Sequence, residues 1–348
     1  MSSIGFEKCV SEHGVYVQCY KEDEREDRLI VCLYVDDLLI TGSSSEKISF
    51  FKGQMLHEFE MSDLGQLSYF LGIEFTKTVA GMLMHQSRYA LDMLTRFNML
   101  QCNSATTPAE VGLKLEKDPE EEAVDPTEYR RMVGSLRYLC NTRPDISYSV
   151  GLVSRFMQNE SGGEAMECYC LRMNQEERLT WLLIHIRIGV VTRVIERVQL
   201  DICFFLEGAP ISWSSTKEPI VALSSCEAEY IAACEATCQA AWLDSLMKEL
   251  RINVTEKVRL LVDNKSAIDL TKHPTSHGRS KHIETRFHFI REQVGKGKIE
   301  VVYCKSEDQT ADILTKALKR ERFLTLRKQI GVIKMEIGAD LEKGVTKT

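Results

Sequence analysis

The sequence lacks the marks of several protein classes. None of its apolar runs approaches the length of about 20 residues that a membrane-spanning helix needs. Its first residues, MSSIGFEKCVSEHG, contain no apolar segment of the kind found in a secretion signal. We therefore expect no membrane partner and a cytoplasmic or nuclear location. The formal net charge of −7 excludes a polycation, so a nucleic-acid surface has to be a local basic patch.

Zinc-site spacing is also missing. The twelve cysteines are scattered, and the close pairs Cys168/Cys170 and Cys234/Cys238 have no second pair of cysteine or histidine ligands. Cys234 and Cys238 lie four residues apart in a predicted helix, which is typical of small core residues. This usage predicts free thiols in a reducing compartment. The 348 residues, 44% hydrophobic and 27% charged, indicate an ordinary globular protein of about two domains.

A pair of adjacent acids stands out within residues 29–42, LIVCLYVDDLLITG. Two apolar, β-branched runs flank Asp36 and Asp37 and predict a buried β-hairpin with both acids at its tip. Adjacent carboxylates in an apolar sheet need compensation, and a divalent cation with oxygen ligands supplies it. The alternative is a tight turn, in which Asp is an ordinary residue.

Strand and helix patterns alternate along most of the chain. In the first part, they predict strands at 14–20, 29–40 and 81–85, helices at 45–59, 86–99, 129–140 and 146–156, and an acidic linker at 105–125. In the second part, they predict a hairpin at 204–214, strands at 258–263 and 299–304, and helices at 224–250, 266–272, 282–294 and 309–318. This order is typical of an α+β or α/β fold.

Eight motifs, in one order, resemble the Pol polyprotein of copia-type LTR retrotransposons of plants. They are LYVDDLLITG (33–42), FEMSDLGQLSYFLGIEF (59–75), TTPAE (106–110), YRRMVGSLRYLCNTRPDISYSV (129–150), SSCEAEYIAACEA (224–236), VDNKSAI (262–268), SKHIETRFHFIRE (280–292) and QTADILTK (309–316). The resemblance implies a reverse transcriptase followed by a ribonuclease H, which would copy RNA into DNA and cut RNA within an RNA/DNA hybrid.

The same resemblance implies a domain organisation. Residues 1–157 would be a partial reverse-transcriptase palm and thumb, and 158–205 a degenerate connection with the first ribonuclease H strand. Residues 206–330 would form a ribonuclease H-like mixed-sheet domain, and 331–348 a tail. The implied partner is an RNA/DNA hybrid or duplex, and the implied cofactor is Mg²⁺ in two-metal sites.

For the polymerase, the resemblance makes Asp36 a catalytic metal ligand and Asp37 its neighbour in the hairpin. A two-metal site needs carboxylates that converge from separate strands, with the ions about 4 Å apart. The residues before Leu29 contain no Asp in an apolar strand, since Asp23 and Asp27 belong to the acidic stretch KEDERED. We therefore expect an incomplete polymerase site.

Ribonuclease H chemistry requires about four carboxylates around two Mg²⁺ ions. Glu227 and Glu229 are two residues apart and so about 200° apart on a helix, which allows only one to face the sheet. Glu229 begins an apolar stripe that continues through Ala233 and Ala236, so it is the predicted ligand and Glu227 is predicted to be solvated. The alternative for Glu229 is a partner of the helix dipole.

Two further carboxylates are assigned by the resemblance. Asp263 ends a predicted strand and precedes a helix, so a helix N-cap is the alternative to a metal ligand. Asp312 lies in the first turns of a helix, where acids are favoured in any case. His282 belongs to the matched motif SKHIETR, without an assigned role.

The fourth carboxylate, expected on the first strand, is missing. No Asp occurs between Asp145 and Asp201, and residues 180–208 read TWLLIHIRIGVVTRVIERVQLDICFFLEG, where the family carries an S-D-x-D-W-x-G-D-type run. We hypothesise a reading-frame slip across 184–202, which translation of the other frames would test. The β-branched replacement is predicted to keep the strand position without supplying a carboxylate.

We therefore expect a retroelement Pol protein without polymerase activity and with impaired hybrid cleavage. The alternative is a non-catalytic protein that binds an RNA/DNA hybrid through phosphate contacts, and a third is a chain whose exposed sheet edges make it aggregate. The basic clusters that would contact phosphates are Arg130, Arg131, Arg137 and Arg143; Lys272, Arg279, Lys281 and Arg286; and Lys316, Lys319, Arg320 and Arg322.

Overall fold

The computed structural model describes residues 1–22, 25–78, 81–103, 105–112, 125–155, 157, 180–184, 189–195, 199–206, 208–217, 222, 224–252, 257–272 and 284–334. By packing, the chain divides into two compact units. The first comprises Met1–Leu67 and Thr237–Lys257, and the second comprises Ser68–Ala236 and Val258–Thr348. The domain boundaries drawn from the family resemblance, at residues 157, 205 and 330, stay a prediction.

The first unit contains a four-stranded antiparallel sheet in the order β1-β2-β3-β4. The elements are β1 (Glu7–Lys8), β2 (Val15–Glu22), β3 (Arg25–Tyr34), β4 (Asp37–Gly42) and helix α1 (Ser45–Glu58). Ser44 caps α1 by accepting a hydrogen bond from the backbone N–H of Lys47. The helix buries its apolar side against the sheet in a core of Phe6, Leu29, Val31, Phe51 and Met55.

In the second unit, one sheet is antiparallel and has the order β14-β8-β7-β6-β5. Its strands are β5 (Tyr69–Phe70), β6 (Ile73–Thr78), β7 (Gly81–His85), β8 (Thr180–Ile184) and β14 (Val332–Lys334). Strand β14 falls inside the segment predicted as a tail, yet it pairs with β8 and Val332 is buried.

The turn of the β5–β6 hairpin requires a glycine at Gly72, which belongs to the matched motif at 59–75. Leu71 and Gly72 both have positive φ, 50° and 77°, as a two-residue type I′ turn requires. A Cβ atom at Gly72 would lie 1.8 Å from the hydroxyl oxygen of Tyr138, which donates a 2.6 Å hydrogen bond to the carbonyl of Leu71. Only glycine fits this position without a shift of Tyr138.

Three helices of the second unit, α2 (Ser87–Arg96), α3 (Pro126–Leu139) and α4 (Ser147–Ser154), share a core. Asp125 caps α3 by accepting a 2.8 Å hydrogen bond from the N–H of Thr127, and proline follows at the first helical position. A short 3-10 turn (Pro144–Ile146) separates α3 from α4. The helices predicted over 86–99, 129–140 and 146–156 are thereby confirmed.

The other sheet of the second unit is mixed and has the order β11-β10-β9-β12-β13. Its strands are β9 (Gly189–Ile195), β10 (Gln199–Leu206), β11 (Ala209–Lys217), β12 (Val258–Val262) and β13 (Ile299–Tyr303). Strands β9, β10 and β11 are antiparallel neighbours, whereas β12 runs parallel to both β9 and β13. The strand predicted in the family-divergent segment is therefore present, and it lies at the centre of the sheet.

Five helices accompany the mixed sheet. They are α5 (Ser225–Glu249), α6 (Lys265–Lys272), α7 (Glu284–Gly295), α8 (Asp312–Thr315) and α9 (Arg320–Gln329). Helices α6 and α7 lie in the connection between the parallel strands β12 and β13, which a short turn cannot bridge. Helices α8 and α9 contribute to an apolar core that includes Cys203, Ile313, Leu314, Phe323 and Leu326.

The last turns of α5 belong to the first unit, where they hold its N-terminal segment. The Glu249 carboxylate accepts hydrogen bonds from the N–H of Val10 (2.6 Å) and from the hydroxyl of Ser11 (2.7 Å). The indole N–H of Trp242 donates to the carbonyl of Ser11 (3.0 Å). The hydrogen bonds from Ser11 and Val10 hold the pKa of Glu249 below its usual value.

Some sequence expectations need correction or fall outside the described residues. Cys238 is exposed, whereas the helical spacing predicted a core residue; Cys234 is buried as predicted. Most of the predicted linker, His282 and residues 158–179 lie outside the described part of the chain. Among the described helices, none has the length and apolar character to cross a bilayer, and none of the described cysteines forms a disulfide.

Candidate metal sites and their acidic residues

Asp36 and Asp37 lie at the tip of the β3–β4 hairpin, as predicted. Tyr34 pairs with Asp37, so Val35 and Asp36 form the two-residue turn, and Val35 has a positive φ of 53°. The predicted burial is wrong at this tip, where both acids and Val35 are exposed, although Leu29 and Val31 further along β3 are fully buried. The exposed carboxylates keep their hydration and need no compensating ion for folding.

Within the described part of the chain, no three histidine, cysteine, aspartate or glutamate side chains converge as ligands for a metal ion. Asp36 and Asp37 are thus two neighbouring acids without a third described ligand. The three acids expected in the second unit, Glu229, Asp263 and Asp312, do not form such a group either. Their surroundings differ strongly from one another.

Glu229 is buried on α5, with 4% of its surface exposed. Ala233, Ala236 and Ala240 follow on the same face and are also buried, which confirms the predicted stripe. Glu227 is half-buried rather than solvated, and its backbone N–H donates a hydrogen bond to the Ser224 hydroxyl oxygen (3.1 Å). Helical geometry therefore separates the two glutamates as expected, with Glu229 on the buried side.

Asp263 directly follows β12 and is partly exposed. Its carboxylate accepts a 3.1 Å hydrogen bond from the hydroxyl of Ser306. The N-cap of the following helix α6 is instead Asn264, whose side-chain oxygen accepts from the N–H of Ala267 (3.2 Å). Asn264, and not Asp263, therefore caps this helix, so the capping alternative for Asp263 is wrong.

Asp312 begins α8 and is buried, with two cations beside it. Its Oδ2 atom lies 2.8 Å from Nζ of Lys316 and 3.9 Å from a guanidinium nitrogen of Arg322. The carboxylate is therefore neutralised by protein side chains. A metal ion at Asp312 would compete with the Lys316 ammonium.

Two of these acids, Asp263 and Asp312, both affect the pKa of the Cys304 thiol. Burial raises its pKa, and the negative charges of Asp308, Asp263 and Asp312 raise it further. Asp263 and Asp312 therefore act on one common point just after β13.

Strand β9 carries no carboxylate. It lies between β10, which contains Asp201, and β12, which is followed by Asp263. Val190 and Val191 pair with Leu260 and Leu261 of β12, in the same parallel direction. On the other side, Arg193 pairs with Asp201 of β10. The backbone register thus gives Asp201 a place one strand away from the centre, which its spacing in the sequence did not reveal.

The predicted basic clusters are not uniform surfaces. Arg143 is buried and binds Asp145 through two contacts of 2.7 and 2.8 Å, so it is not available to a phosphate. Arg327 of α9 lies 3.3 Å from the same carboxylate. Burial alone would raise the pKa of Asp145, but Arg143 and Arg327 outweigh it and hold the pKa below its usual value.

Sequence reasoning missed this ion cluster of Asp145, Arg143 and Arg327. It contains the most completely buried carboxylate among the described ion pairs, with none of its side chain exposed. The available signal was the pair Arg143 and Asp145 on either side of Pro144, a helix breaker inside a matched motif. Arg327 could not be found in this way, because it lies more than 180 residues further along the chain.

Comparison with known proteins decides the family. Residues 1–111 match the model of the family Reverse transcriptase (RNA-dependent DNA polymerase). The chain is 35% identical over 96% of its length to the Retrovirus-related Pol polyprotein from transposon RE1 of Arabidopsis thaliana, and 32% identical over 95% to that from transposon TNT 1-94 of Nicotiana tabacum. The Uncharacterized mitochondrial protein AtMg00810 of Arabidopsis thaliana is 33% identical over 62% of this chain and 94% of its own length. The chain belongs to the copia-type retrotransposon Pol family.

This membership confirms the resemblance drawn from the eight motifs, including the reverse-transcriptase assignment of the first part. The chain spans about a quarter of the length of the Pol relatives, 23% of the RE1 polyprotein and 26% of the TNT 1-94 polyprotein. Reverse transcriptases bind nucleic acid and generally use divalent metal ions. The metal roles of Asp36, Asp37, Glu229, Asp263 and Asp312 stay predictions.

Proposed function

We propose that this Pol chain contains a ribonuclease H-like domain whose capacity to cleave RNA in an RNA/DNA hybrid is impaired. The observation that carries the proposal is the central strand of the mixed sheet. Strand β9, GVVTRVI, has no acidic residue, and a two-metal nuclease of this family needs one there. Loss of a ligand from such a site costs orders of magnitude in rate.

The remaining architecture supports a ribonuclease H-like assignment. Three antiparallel strands are followed by α5, which carries Glu229, and then by the parallel strand β12, which ends at Asp263. Asp312 begins the late helix α8. These are a first helix, a fourth strand and a late helix, the elements from which the family resemblance expects its other three carboxylates.

The side chains in their present arrangement do not fit a two-metal centre. No three potential ligands converge among the described residues, and Lys316 lies 2.8 Å from the Asp312 carboxylate. A centre of two Mg²⁺ ions brings four positive charges, which three carboxylates, one of them already paired with a lysine, cannot balance. This mismatch is a second argument for impaired cleavage.

A cleavage assay on a labelled RNA/DNA hybrid with Mg²⁺ tests the proposal directly. We expect the wild-type chain and Asp263→Asn to give equally slow, near-background cleavage. Cleavage at an ordinary enzymatic rate, about 1 s⁻¹ or faster, that Asp263→Asn abolishes would contradict it. Salt-dependent hybrid binding without cleavage would favour the alternative of a non-catalytic binding protein.

A gain-of-function pair separates a missing ligand from a generally inactive domain. Arg193→Asp introduces a carboxylate on β9 at the position whose backbone partner on β10 is Asp201, and Arg193→Asn introduces an uncharged side chain of similar size at the same position. If the absent β9 carboxylate limits the rate, Mg²⁺-dependent cleavage rises in Arg193→Asp only. Equal rates in both variants and the wild type would show that the defect lies elsewhere.

We further propose that Asp36 and Asp37 are the metal-facing acids of the polymerase domain, because the family match to residues 1–111 covers their hairpin. Their exposure leaves their oxygens accessible to a divalent cation. Mn²⁺ titration monitored by water-proton relaxation should show weaker binding in Asp36→Asn/Asp37→Asn. The control is Asp27→Asn in the same sheet, and equal binding in both variants would refute the assignment.

A further inference from the structure

A cavity of about 490 Å³ opens in the second unit between α3, α4 and β11. It exists because α4 turns a face of small residues, Ser147, Val150, Gly151 and Ser154, toward it. These positions follow the i, i+3, i+4, i+7 spacing of one helix face, so the missing side-chain volume is concentrated on one side of the helix. The cavity is within the range of small-ligand sites, about 300–1,000 Å³.

The charge of this cavity opposes that of the whole chain. Arg137 and Arg155 line it, and none of the described lining residues is acidic, although the chain carries a net charge of −7. Burial raises the pKa of the lining residue Cys140 to about 12, so its thiol stays neutral. The neighbouring acid Asp145 is already bound by Arg143 and Arg327. The wall is therefore positively charged at neutral pH.

The polar groups of the wall are held in place by the surrounding structure. Arg137 donates a hydrogen bond from Nε to the hydroxyl of Ser154 (3.1 Å), which uses one of its five N–H donors. The indole N–H of Trp213 donates to the carbonyl of Cys140 (2.9 Å), while its ring packs against the core of the second unit. These contacts fix an arginine and an aromatic ring on the same cavity before any ligand binds.

We propose that this cavity binds a nucleotide unit, with its phosphate at Arg137 and Arg155 and its base beside Trp213. Guanidinium groups match phosphate oxygens in shape and charge, and an aromatic ring provides a stacking surface that any base can use. The nucleotide comes either from a free nucleoside monophosphate or from a nucleic-acid strand. Because the lining residues include none of the five predicted metal ligands, the proposal stands even if the nuclease proposal fails.

The test measures binding of AMP, inorganic phosphate and a fluorescently labelled 12-nucleotide DNA strand to the full chain. Calorimetry serves for the two small molecules and fluorescence anisotropy for the strand. Arg137→Gln/Arg155→Gln should weaken binding about tenfold or more, whereas Arg96→Gln, an exposed arginine of α2 outside the cavity and outside the basic clusters, should leave it unchanged. For the strand, loss of two phosphate contacts should also reduce the slope of log K against log salt by about 1.4.

A second pair of variants tests the cavity itself. Gly151→Leu fills it from α4, and Gly134→Leu adds the same side chain on α3 at a position whose Cβ would meet no atom within 4 Å. Both replace a helical glycine by a better helix former, so both should fold. We expect binding to be lost only in Gly151→Leu, and folding is checked by circular dichroism.

The pattern of binding decides between the sources and can overturn the proposal. Competition between AMP and the strand supports a site open to free nucleotides, and strand binding that needs the cavity without AMP binding assigns the site to nucleic acid. Strand binding that Arg96→Gln weakens as much as the double arginine variant would show diffuse electrostatics and overturn the proposal. So would binding that Gly151→Leu leaves intact.

Discussion

The acids of the β3–β4 hairpin and the acids buried in the second unit obey different physical constraints. Asp36 and Asp37 are exposed at a turn and interact mainly with water. Asp145 and Asp312 are buried, and each has two cationic side chains at its carboxylate. The acids of the motif that resembles a catalytic site therefore need no compensating cations for folding, whereas Asp145, an acid without a predicted role, is buried between two arginines.

This difference follows from the cost of removing a carboxylate from water. A buried carboxylate is tolerated only when cations or hydrogen-bond donors replace its hydration. Asp145 meets this demand with a bidentate contact from Arg143 and an ion pair from Arg327. An exposed acid remains hydrated and needs no protein partner for folding. Any partner it has is therefore a ligand that it binds for function.

Asp145→Asn should be the most destabilising change in this comparison. It leaves Arg143 and Arg327 buried without their counter-charge, at a cost of about 3–5 kcal/mol in the free energy of unfolding. Because the pKa of Asp145 is held below its usual value, its contribution is present above about pH 4 and lost as the pH falls through the folded-state pKa. Urea denaturation at pH 7 and pH 3 measures both effects.

The variant should therefore differ from the wild type more at pH 7 than at pH 3. Asp92→Asn, an exposed aspartate on α2, is the matched control and should differ little at either pH. A loss of less than about 1 kcal/mol at pH 7 would show that Arg143 and Arg327 find other partners.

Asp312→Asn should have the next largest effect, about 1–3 kcal/mol, because it leaves the Lys316 ammonium beside a neutral amide. Lys316→Met and the double variant complete a double-mutant cycle in urea. Coupling between the two positions is expected, since their charged atoms lie 2.8 Å apart. A coupling energy near zero would show that Arg322 alone compensates Asp312.

His85 should make a smaller, pH-dependent contribution to the stability of the second unit. Burial lowers its pKa, Glu74 at 3.4 Å partly opposes this, and Arg88 lowers it further. A lowered folded-state pKa means that the unfolded chain takes up a proton first, so stability should fall as the pH drops below about 6.5. His85→Gln should remove this part of the pH dependence between pH 7 and pH 5, measured by urea midpoints; an unchanged slope would assign it to other groups.

Asp36→Asn and Asp37→Asn should have the smallest effect on stability, below about 0.5 kcal/mol each, because both side chains are exposed. The measurement is the urea midpoint at pH 7, read beside the Asp145 variant. A loss as large as that of Asp145→Asn would mean that the tip is buried in solution, and the contrast between the two regions would disappear.

Local patterns predicted much of the fold. The helical periodicity over 45–59 and 129–140 matches α1 and α3, and the two apolar runs around Asp36 match β3 and β4. The position of Glu229 on a buried stripe also followed from spacing alone. These features depend on neighbours within a few residues, which the sequence lists directly.

Long-range partners could not be predicted in this way. Nothing near Asp312 in the sequence reveals Arg322 as its second cation, and nothing near Trp213 reveals that its indole bonds to the carbonyl of Cys140. The missing acid of strand β9 was visible in the sequence, but its position beside β12 required the sheet register.

The amino-acid sequence by itself determined the family, the order of helices and strands, and which acids were candidates for metal binding, because these depend on residue identity and spacing along the chain. Tertiary structure alone decided which acids are buried and paired, which arginines reach a cavity, and which are used up in ion pairs. The physical reason is that desolvation and charge compensation depend on the atoms that packing brings together, and those atoms come from distant parts of the chain.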